Sequence, residues 1–395
     1  MVEQFITASR AKELIAAYTP PLAPKLLKLS EAAGLALAQD VWAPCNIPAY
    51  PQSSMDGYAL HTSGIGQPLQ IVGVMPAGSM EAFALQPHQA VRIFTGAAVP
   101  KGANAVLVQE KARVELGLLY VDHPELKAGD NIRPVGSEIE EGQLALKAGH
   151  RLTPAAMGFL AGAGIEEVLV HPPLAATIIV TGNELQPPGQ PLGYGKVYES
   201  NSYTLKAALQ PLPLYPVSLH YAPDDLARLS QLLKLALAES QLILLTGGVS
   251  VGDYDFTLQA LEACGVMPVF HKIKQRPGKP ILFGVKDDTL VFGLPGNPAS
   301  VLTCFYMYVL PAICARLQIP SPLLQLYLPA ANAIKKALGL THFLKARVQD
   351  GKVHLLTGQE SYKLHSFALA NALAVIPETT TEVAEGDTVA VYILP

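Results

Sequence analysis

With 395 residues, half of them hydrophobic and 15% charged, the chain can bury a sizeable core and has room for roughly two to four domains. A formal net charge of −4 argues against a general nucleic-acid binder, which carries a basic excess. The four cysteines form no CxxC pair and no Cys/His zinc spacing, so free thiols in a reducing cytoplasm are expected.

The N-terminus lacks the apolar core of a signal peptide. Helical spacing covers 8–18 and again 30–38, where Ser30 precedes Glu31, Ala32 and Ala33 as a capped helix start would. Pro20 to Pro24 separate the two, and 43–54 reads as a loop. Short alternating runs broken by glycine come next, at Leu69–Val74, Ala90–Phe94, Ala105–Gln109 and Leu118–Val121. That patterning predicts a small all-β module over 46–137. Residues 138–173 are mixed in character and are grouped with 1–45 as one discontinuous α+β domain.

From 174 the rhythm becomes strand, loop, helix. Strands are expected at Ala176–Val180, Tyr215–His220, Gln241–Leu245, 267–273, 281–285 and 290–293. Helices fall at 202–210, Asp224–Ala238, 255–263 and 299–316. This alternation predicts an α/β sandwich over 174–317 with a mostly parallel sheet. Within the last helix, Val301–Leu310 is too short to span a bilayer and reads as a core segment, so no membrane association is expected. Residues 318–395 read as a C-terminal β domain, with strands at Val348–Leu356, Ala374–Pro377 and Thr388–Leu394.

Open parallel sheets bind ligands beyond the carboxyl ends of their strands, and the unusual residues of this chain cluster there. The first strand leads into Thr181, Gly182, Asn183 and Glu184. The second leads into Asp224 and Asp225. The third leads into Gly247, Gly248, Val249, Ser250, Val251 and Gly252, and on to Asp255. Small residues in such a turn let backbone N–H groups approach a phosphate, although a tight turn without a ligand would read the same. Glu184, Asp224 and Asp255 could share a Mg²⁺ on that rim; for the two aspartates, helix capping is the structural alternative. Arg276-Pro-Gly-Lys279-Pro280 could clamp an oxyanion or be a solvated basic turn. Pro295 and Pro298 bracket a rigid loop. Asp56-Gly57 and Thr95-Gly96 are ordinary turn signals on their own. No nucleophile paired with a base is visible, which argues against a covalent enzyme intermediate.

Taken together, seven segments in order resemble the MoeA family, which includes the gephyrin E domain. They are Ser54–Ala59, Arg92–Ala97, Asn131–Arg133, Thr181–Leu185, Thr246–Asp255, Pro277–Pro280 and Gly293–Pro298. The resemblance implies a homodimer of elongated four-part subunits: 1–45 with 138–173, 46–137, 174–317 and 318–395. The central part would be a pterin-binding sandwich similar to MogA and MoaB, and the last part β-barrel-like. It implies a molybdopterin molybdenumtransferase that uses Mg²⁺, with molybdate and adenylylated molybdopterin as substrates, in a cleft shared between subunits. Asp56, Thr95, Glu184, Asp255 and Lys279 match catalytic positions. Thr181, Gly182, Gly247, Gly248, Ser250, Gly252, Arg133, Arg276, Pro295, Pro298 and Ser361 match binding positions. Glu184, Asp224 and Asp255 are the implied metal ligands. Partners would be a molybdopterin adenylyltransferase upstream and maturation factors of molybdoenzymes downstream. Asn183, Arg276, Glu138 and Glu199 depart from the family pattern. Two other functions share the resemblance: adenylylation of molybdopterin on the same fold, and a non-catalytic, gephyrin-like scaffold.

Overall fold

A computed structural model describes residues 2–79, 81, 83–248 and 256–395. The chain forms two compact units: Met1–Leu26, Gly34–Ala36 and Leu169–Pro395 make the larger, Leu27–Ala33 and Leu37–Val168 the smaller.

The larger unit is built on a seven-stranded sheet. Its order is Glu3–Ile6, Met267–Ile273, Leu282–Lys286, Thr289–Leu294, Leu242–Thr246, Leu174–Thr181 and Leu214–Ala222. Only Leu282–Lys286 runs antiparallel to its neighbours. Every residue of Leu174–Thr181, Leu242–Thr246 and Thr289–Leu294 is buried, which is why these strands read as near-continuous apolar runs with only threonine interrupting them. Along the first of them Leu174, Ala176, Ile178 and Val180 pack into one core with Leu205, Leu209 and the long C-terminal helical run. Ile179 faces the other core, with Leu229, Leu233, Ala260 and Leu261. The expected α/β sandwich with a mostly parallel sheet is therefore present, with helices on both faces.

Two details of this region differ from the sequence reading. The helix Leu226–Glu239 is capped by Asp225, whose Oδ1 accepts from the Arg228 N–H at 2.7 Å, so Asp224 is not its cap. The apolar run is longer than ten residues. Pro298–Leu317 is helical throughout, with a wide π turn at Phe305–Val309 just before Pro311. A proline has no N–H to give, and an irregular turn absorbs that gap. By length and composition this helix could cross a membrane, but 72% of its most apolar window is buried inside the fold, as a core helix would be.

The C-terminal sheet runs Gln275–Arg276, Thr341–Gln349, Ala372–Ile376, Thr388–Ile393 and Leu324–Pro329, with Lys352–Leu355 also pairing on Thr341–Gln349. The single strand expected at 348–356 is instead the tip and return of a hairpin. Asp350 and Gly351 turn it, both at positive φ (51° and 72°), the Asp-Gly signal of a tight turn.

The smaller unit holds a six-stranded sheet ordered Ala105–Val108, Gly57–Leu60, Gln89–Ile93, Leu69–Met75, Leu118–Val121 and Ala112–Glu115, as the glycine-broken alternation predicts. Its helix, Pro154–Gly162, starts at Thr153, whose hydroxyl accepts from the Ala156 N–H. The helix expected at 30–38 is absent. Only Leu29–Glu31 makes a 3-10 turn, and Gly34 at φ 78° diverts the chain before a second turn can form. Sequence groups 1–45 with 138–173, whereas Met1–Leu26 falls in the larger unit, its first strand completing an edge of the main sheet.

Candidate functional site

Strands ending at Ala222, Thr181, Thr246 and Leu294 lie side by side in the sheet, in register at their carboxyl ends. The four loops singled out in sequence thus leave from one rim. A cavity of about 570 Å³ opens there, and Glu184, Gly247, Gly248, Pro295 and Pro298 are among its lining residues.

Each loop is held by its own chemistry. Gly182, at φ 147°, lets Glu184 fold back: a Cβ on the glycine would meet both carboxylate oxygens at 2.9 and 3.0 Å. Asn183 and Asp224 bind reciprocally. The Asn183 N–H donates to Asp224 Oδ2 at 3.1 Å, and the Asp224 N–H to Asn183 Oδ1 at 3.3 Å. The departure at Asn183 is thus built into the rim, since a carboxylate in its place would face Asp224 with like charge. The buried carboxylate of Glu199 accepts from both the N–H and the hydroxyl of Ser202, at 2.8 and 2.5 Å, and so caps the helix Asn201–Leu209 from just outside it.

Gly247 and Gly248 sit at φ 89° and 64°. A Cβ on Gly247 would lie 2.1 Å from the Thr181 carbonyl oxygen. One on Gly248 would lie 2.7 Å from Thr257 Oγ1 and 3.0 Å from Thr181 Oγ1. Among the described residues, neither buried hydroxyl has a hydrogen-bond partner. Unpaired buried hydroxyls are costly, and an acceptor oxygen arriving at this cradle would satisfy them. Asn201 ties the rim together, donating to Thr246 Oγ1 at 2.8 Å and to the Gly296 carbonyl at 2.9 Å. Ser250, Gly252 and Asp255 lie outside the described residues.

Lys279 and Arg276 are exposed on the loop whose Pro280 reaches the cavity wall. The Lys279 ammonium rests 4.7 Å from the centre of the Phe5 ring. Ser361 precedes Tyr362, another wall residue. The Ser361 hydroxyl accepts from Asn297 Nδ2 at 3.0 Å and its carbonyl from the Ala299 N–H at 3.1 Å, fixing it to the start of the helix Pro298–Cys304.

In the smaller unit, three of the matched segments converge. The Ser53 N–H donates to the Ala97 carbonyl, Gly96 to Ser53 and Ser54 to Asn131, while Arg133 pairs with Gln52. Gly57 is obligatory, since a Cβ would fall 1.8 Å from the Leu107 carbonyl oxygen. Asp56 Oδ1 accepts from both the N–H and the hydroxyl of Thr95, each at 2.8 Å. Those two bonds hold the Asp56 carboxyl below the usual range, with a smaller push from Arg92. Asp56, Thr95 and Arg133 therefore share one neighbourhood.

Thr257, Asn201 and Tyr362 escape a sequence reading. Only Asn201, two residues after Glu199, carried any signal, because a buried threonine and an exposed tyrosine are unremarkable in a string of letters. Among the described residues no group of three His, Cys, Asp or Glu stands ready to hold a metal. Glu184 in the cavity wall is nevertheless an oxygen donor of the kind Mg²⁺ takes, and Mg²⁺ commonly binds through one or two carboxylates plus substrate phosphates.

Comparison with known proteins matches three family models along the chain: the MoeA N-terminal region (domain I and II) at 6–164, the probable molybdopterin binding domain at 177–315, and the MoeA C-terminal region (domain IV) at 327–394. The molybdopterin molybdenumtransferase of Haemophilus influenzae is 33% identical over 400 residues, covering 98% of each chain. That of Bacillus subtilis is 32% identical, covering 91% of this chain and 87% of its own. A molybdopterin biosynthesis MoeA protein from Pyrococcus horikosii superposes with a TM-score of 0.80 at 27% identity, covering 98% of this chain and 99% of that one. Seven short segments in order, a rim that gathers the four of them in the larger unit, and full-length kinship at this level have one explanation: the chain belongs to the MoeA family.

Proposed function

We propose that the chain is a molybdopterin molybdenumtransferase, joining molybdate to the dithiolene of adenylylated molybdopterin with release of AMP. The observation that carries this reading is the cavity at the ends of adjacent strands, with two threonine hydroxyls that have no partner among the described residues beside a glycine cradle. An adenylate has what such a cradle lacks, namely phosphoryl oxygens that accept from hydroxyls and backbone N–H groups.

In this reading Gly247, Gly248, Thr181 and Thr257 hold the phosphoanhydride, and Ser250 and Gly252 extend the same loop in sequence. Pro295 and Pro298 wall the pterin end. Arg276 and Lys279, with Ser361, receive molybdate, bringing two reactants into one cleft. Glu184 and Asp224, with Asp255, would hold a Mg²⁺ that polarises the phosphoryl oxygens when bound. The carboxylate of Asp56, kept ionised by Thr95, and the guanidinium of Arg133 are assigned supporting roles in the cleft of a homodimer. The four-part division of the subunit, the upstream adenylyltransferase, the downstream maturation factors and a cytoplasmic location, which the free thiols favour, belong to the same proposal.

An adenylyltransferase acting on molybdopterin would need only the 174–317 sandwich, so the remaining parts of the chain speak against it. The test is AMP release together with formation of active cofactor, from adenylylated molybdopterin and Mg²⁺. Wild type should release AMP only when molybdate is added, and Glu184→Gln should not. AMP release that ignores molybdate, or adenylylated pterin accumulating from ATP, would overturn the reading.

A further inference from the structure

The basic loop 276–280 rests on a polar knot sealed inside the larger unit. Gln275 is 1% exposed. Its amide nitrogen donates to the carbonyl oxygens of Pro277 and Gly278, at 3.0 and 3.2 Å, and lies 3.6 Å from Cys304 Sγ. Its amide oxygen accepts from the Tyr308 hydroxyl. The Cys304 thiol donates to the Gly278 carbonyl at 3.7 Å. Tyr308 and Cys304 are 1% and 0% exposed, and burial raises both above their ordinary values, so both remain neutral donors.

Apolar side chains could fill this space without the cost of burying polar groups, so the knot calls for a reason. The loop supplies one. Gly278 is at φ 84°, and a Cβ there would lie 2.5 Å from Cys304 Sγ, so the backbone descends until it touches the helix. Two loop carbonyls point down into the knot, while Arg276 and Lys279 stay exposed. Tyr308 belongs to the π turn Phe305–Val309. Inserting one residue into a helix rotates its later turns by roughly 100°. Such turns mark places where a helix is re-aimed at something, and here the hydroxyl meets Gln275.

We propose that Gln275 and Tyr308 are positioning residues for the oxyanion clamp, setting the separation at which Arg276 and Lys279 meet molybdate. The proposal rests on the reading of this loop as the molybdate end of the cleft. Tyr308→Phe removes one hydroxyl and no volume. Gln275→Met removes both arms of the amide. Ile313→Val, a buried change on the same helical run with no polar group, serves as the control for lost stability.

Two readouts are needed on the full chain. Molybdate binding by calorimetry requires no turnover, and steady-state kinetics separates KM for molybdate from kcat and from KM for the adenylylated pterin. Tyr308→Phe and Gln275→Met should weaken molybdate binding about tenfold, short of the roughly hundredfold that a 1 Å misplacement can cost. KM for the pterin should hold within twofold (about 0.4 kcal/mol). Ile313→Val should leave both constants alone despite a lower Tm. Wild-type affinity in both knot variants overturns the proposal. So does an equal loss in the control, or a wild type that binds no molybdate. A wild type that binds molybdate but releases no AMP would instead count against the proposed function, and the isotherms would still judge the knot.

Discussion

Replacing Lys345 by methionine exchanges an ammonium for a thioether of nearly equal length and asks what a buried cation contributes beneath the Ser361 loop. Lys345 is 2% exposed. Its Nζ donates to the carbonyls of Gly358 (2.6 Å), Glu360 (3.2 Å) and Lys363 (3.0 Å), three points on the loop that carries Ser361 and Tyr362. Not all three would be orphaned by the change. The Glu360 carbonyl keeps the Lys363 N–H, and the single Ser366 hydroxyl proton can serve either Gly358 or Lys363. One carbonyl is therefore left without a partner, which costs about 1–3 kcal/mol. The lost charge-assisted bonds add to that figure. Relief from burying a cation subtracts, since burial already lowers the Lys345 pKa. A net loss of about 2–4 kcal/mol is expected. Urea unfolding followed by circular dichroism should show it as a lower midpoint at unchanged slope. Lys345→Arg should recover part of the loss, because a guanidinium can still reach two carbonyls. A midpoint within about 0.5 kcal/mol of wild type would refute the accounting, and would mean that the other bonds of the loop, such as those of Ser361 and Ser366, hold it without the ammonium.

Acid should weaken the fold through two histidines. Burial lowers the pKa of His271, helped by Lys272, and that of His342, helped by Lys336 and Arg276. A lowered folded value means stability that is complete above the ordinary 6.5 and is lost as pH falls from there towards the folded values. The urea midpoint should be flat from pH 8 to 7 and fall below pH 6.5, and His271→Gln should flatten that slope. Gly247→Ala places a Cβ 2.1 Å from the Thr181 carbonyl at the end of a buried strand, whereas Gly66→Ala, also at positive φ, meets nothing within 4 Å. The second should cost only the left-handed penalty of about 1–2 kcal/mol. The first should cost at least twice that and abolish AMP release; equal midpoints would show that the cradle can move.

The central sandwich was legible because parallel strands buried on both faces are apolar at nearly every position, as Leu174–Thr181 and Leu242–Thr246 are, with threonine their only polar residue type. Strand ends then pointed to the rim without any contact information. What failed is what one-dimensional patterning cannot hold. Residues 30–38 carry helical spacing, but a glycine at φ 78° outweighs it. The adjacent pair Asp224 and Asp225 looks interchangeable, and only the fold decides that one caps a helix while the other binds Asn183. The Asp350-Gly351 hairpin was readable from its turn residues, although Val348, Val353, Leu355 and Leu356 on either side suggest a single strand. Nothing in the letters marks Gln275, Tyr308 or Lys345. A buried polar side chain looks like a surface one until its partners, tens of residues away, are placed around it.

The edge strand Glu3–Ile6 pairs in parallel with Met267–Ile273, so it is synthesised long before the other members of the sheet it completes. At about 5–20 residues per second, roughly 13–53 seconds separate the emergence of Gln4 from that of its partner His271. The smaller unit, contained within residues 27–168, can finish folding inside that interval. The opening strand cannot. It lacks its sheet partner until Met267–Ile273 has been made, which makes this pairing a late capture of an early segment. Fusions or leaders that engage this segment should therefore show their effect in yield and aggregation during synthesis, before any effect on turnover by the finished molecule.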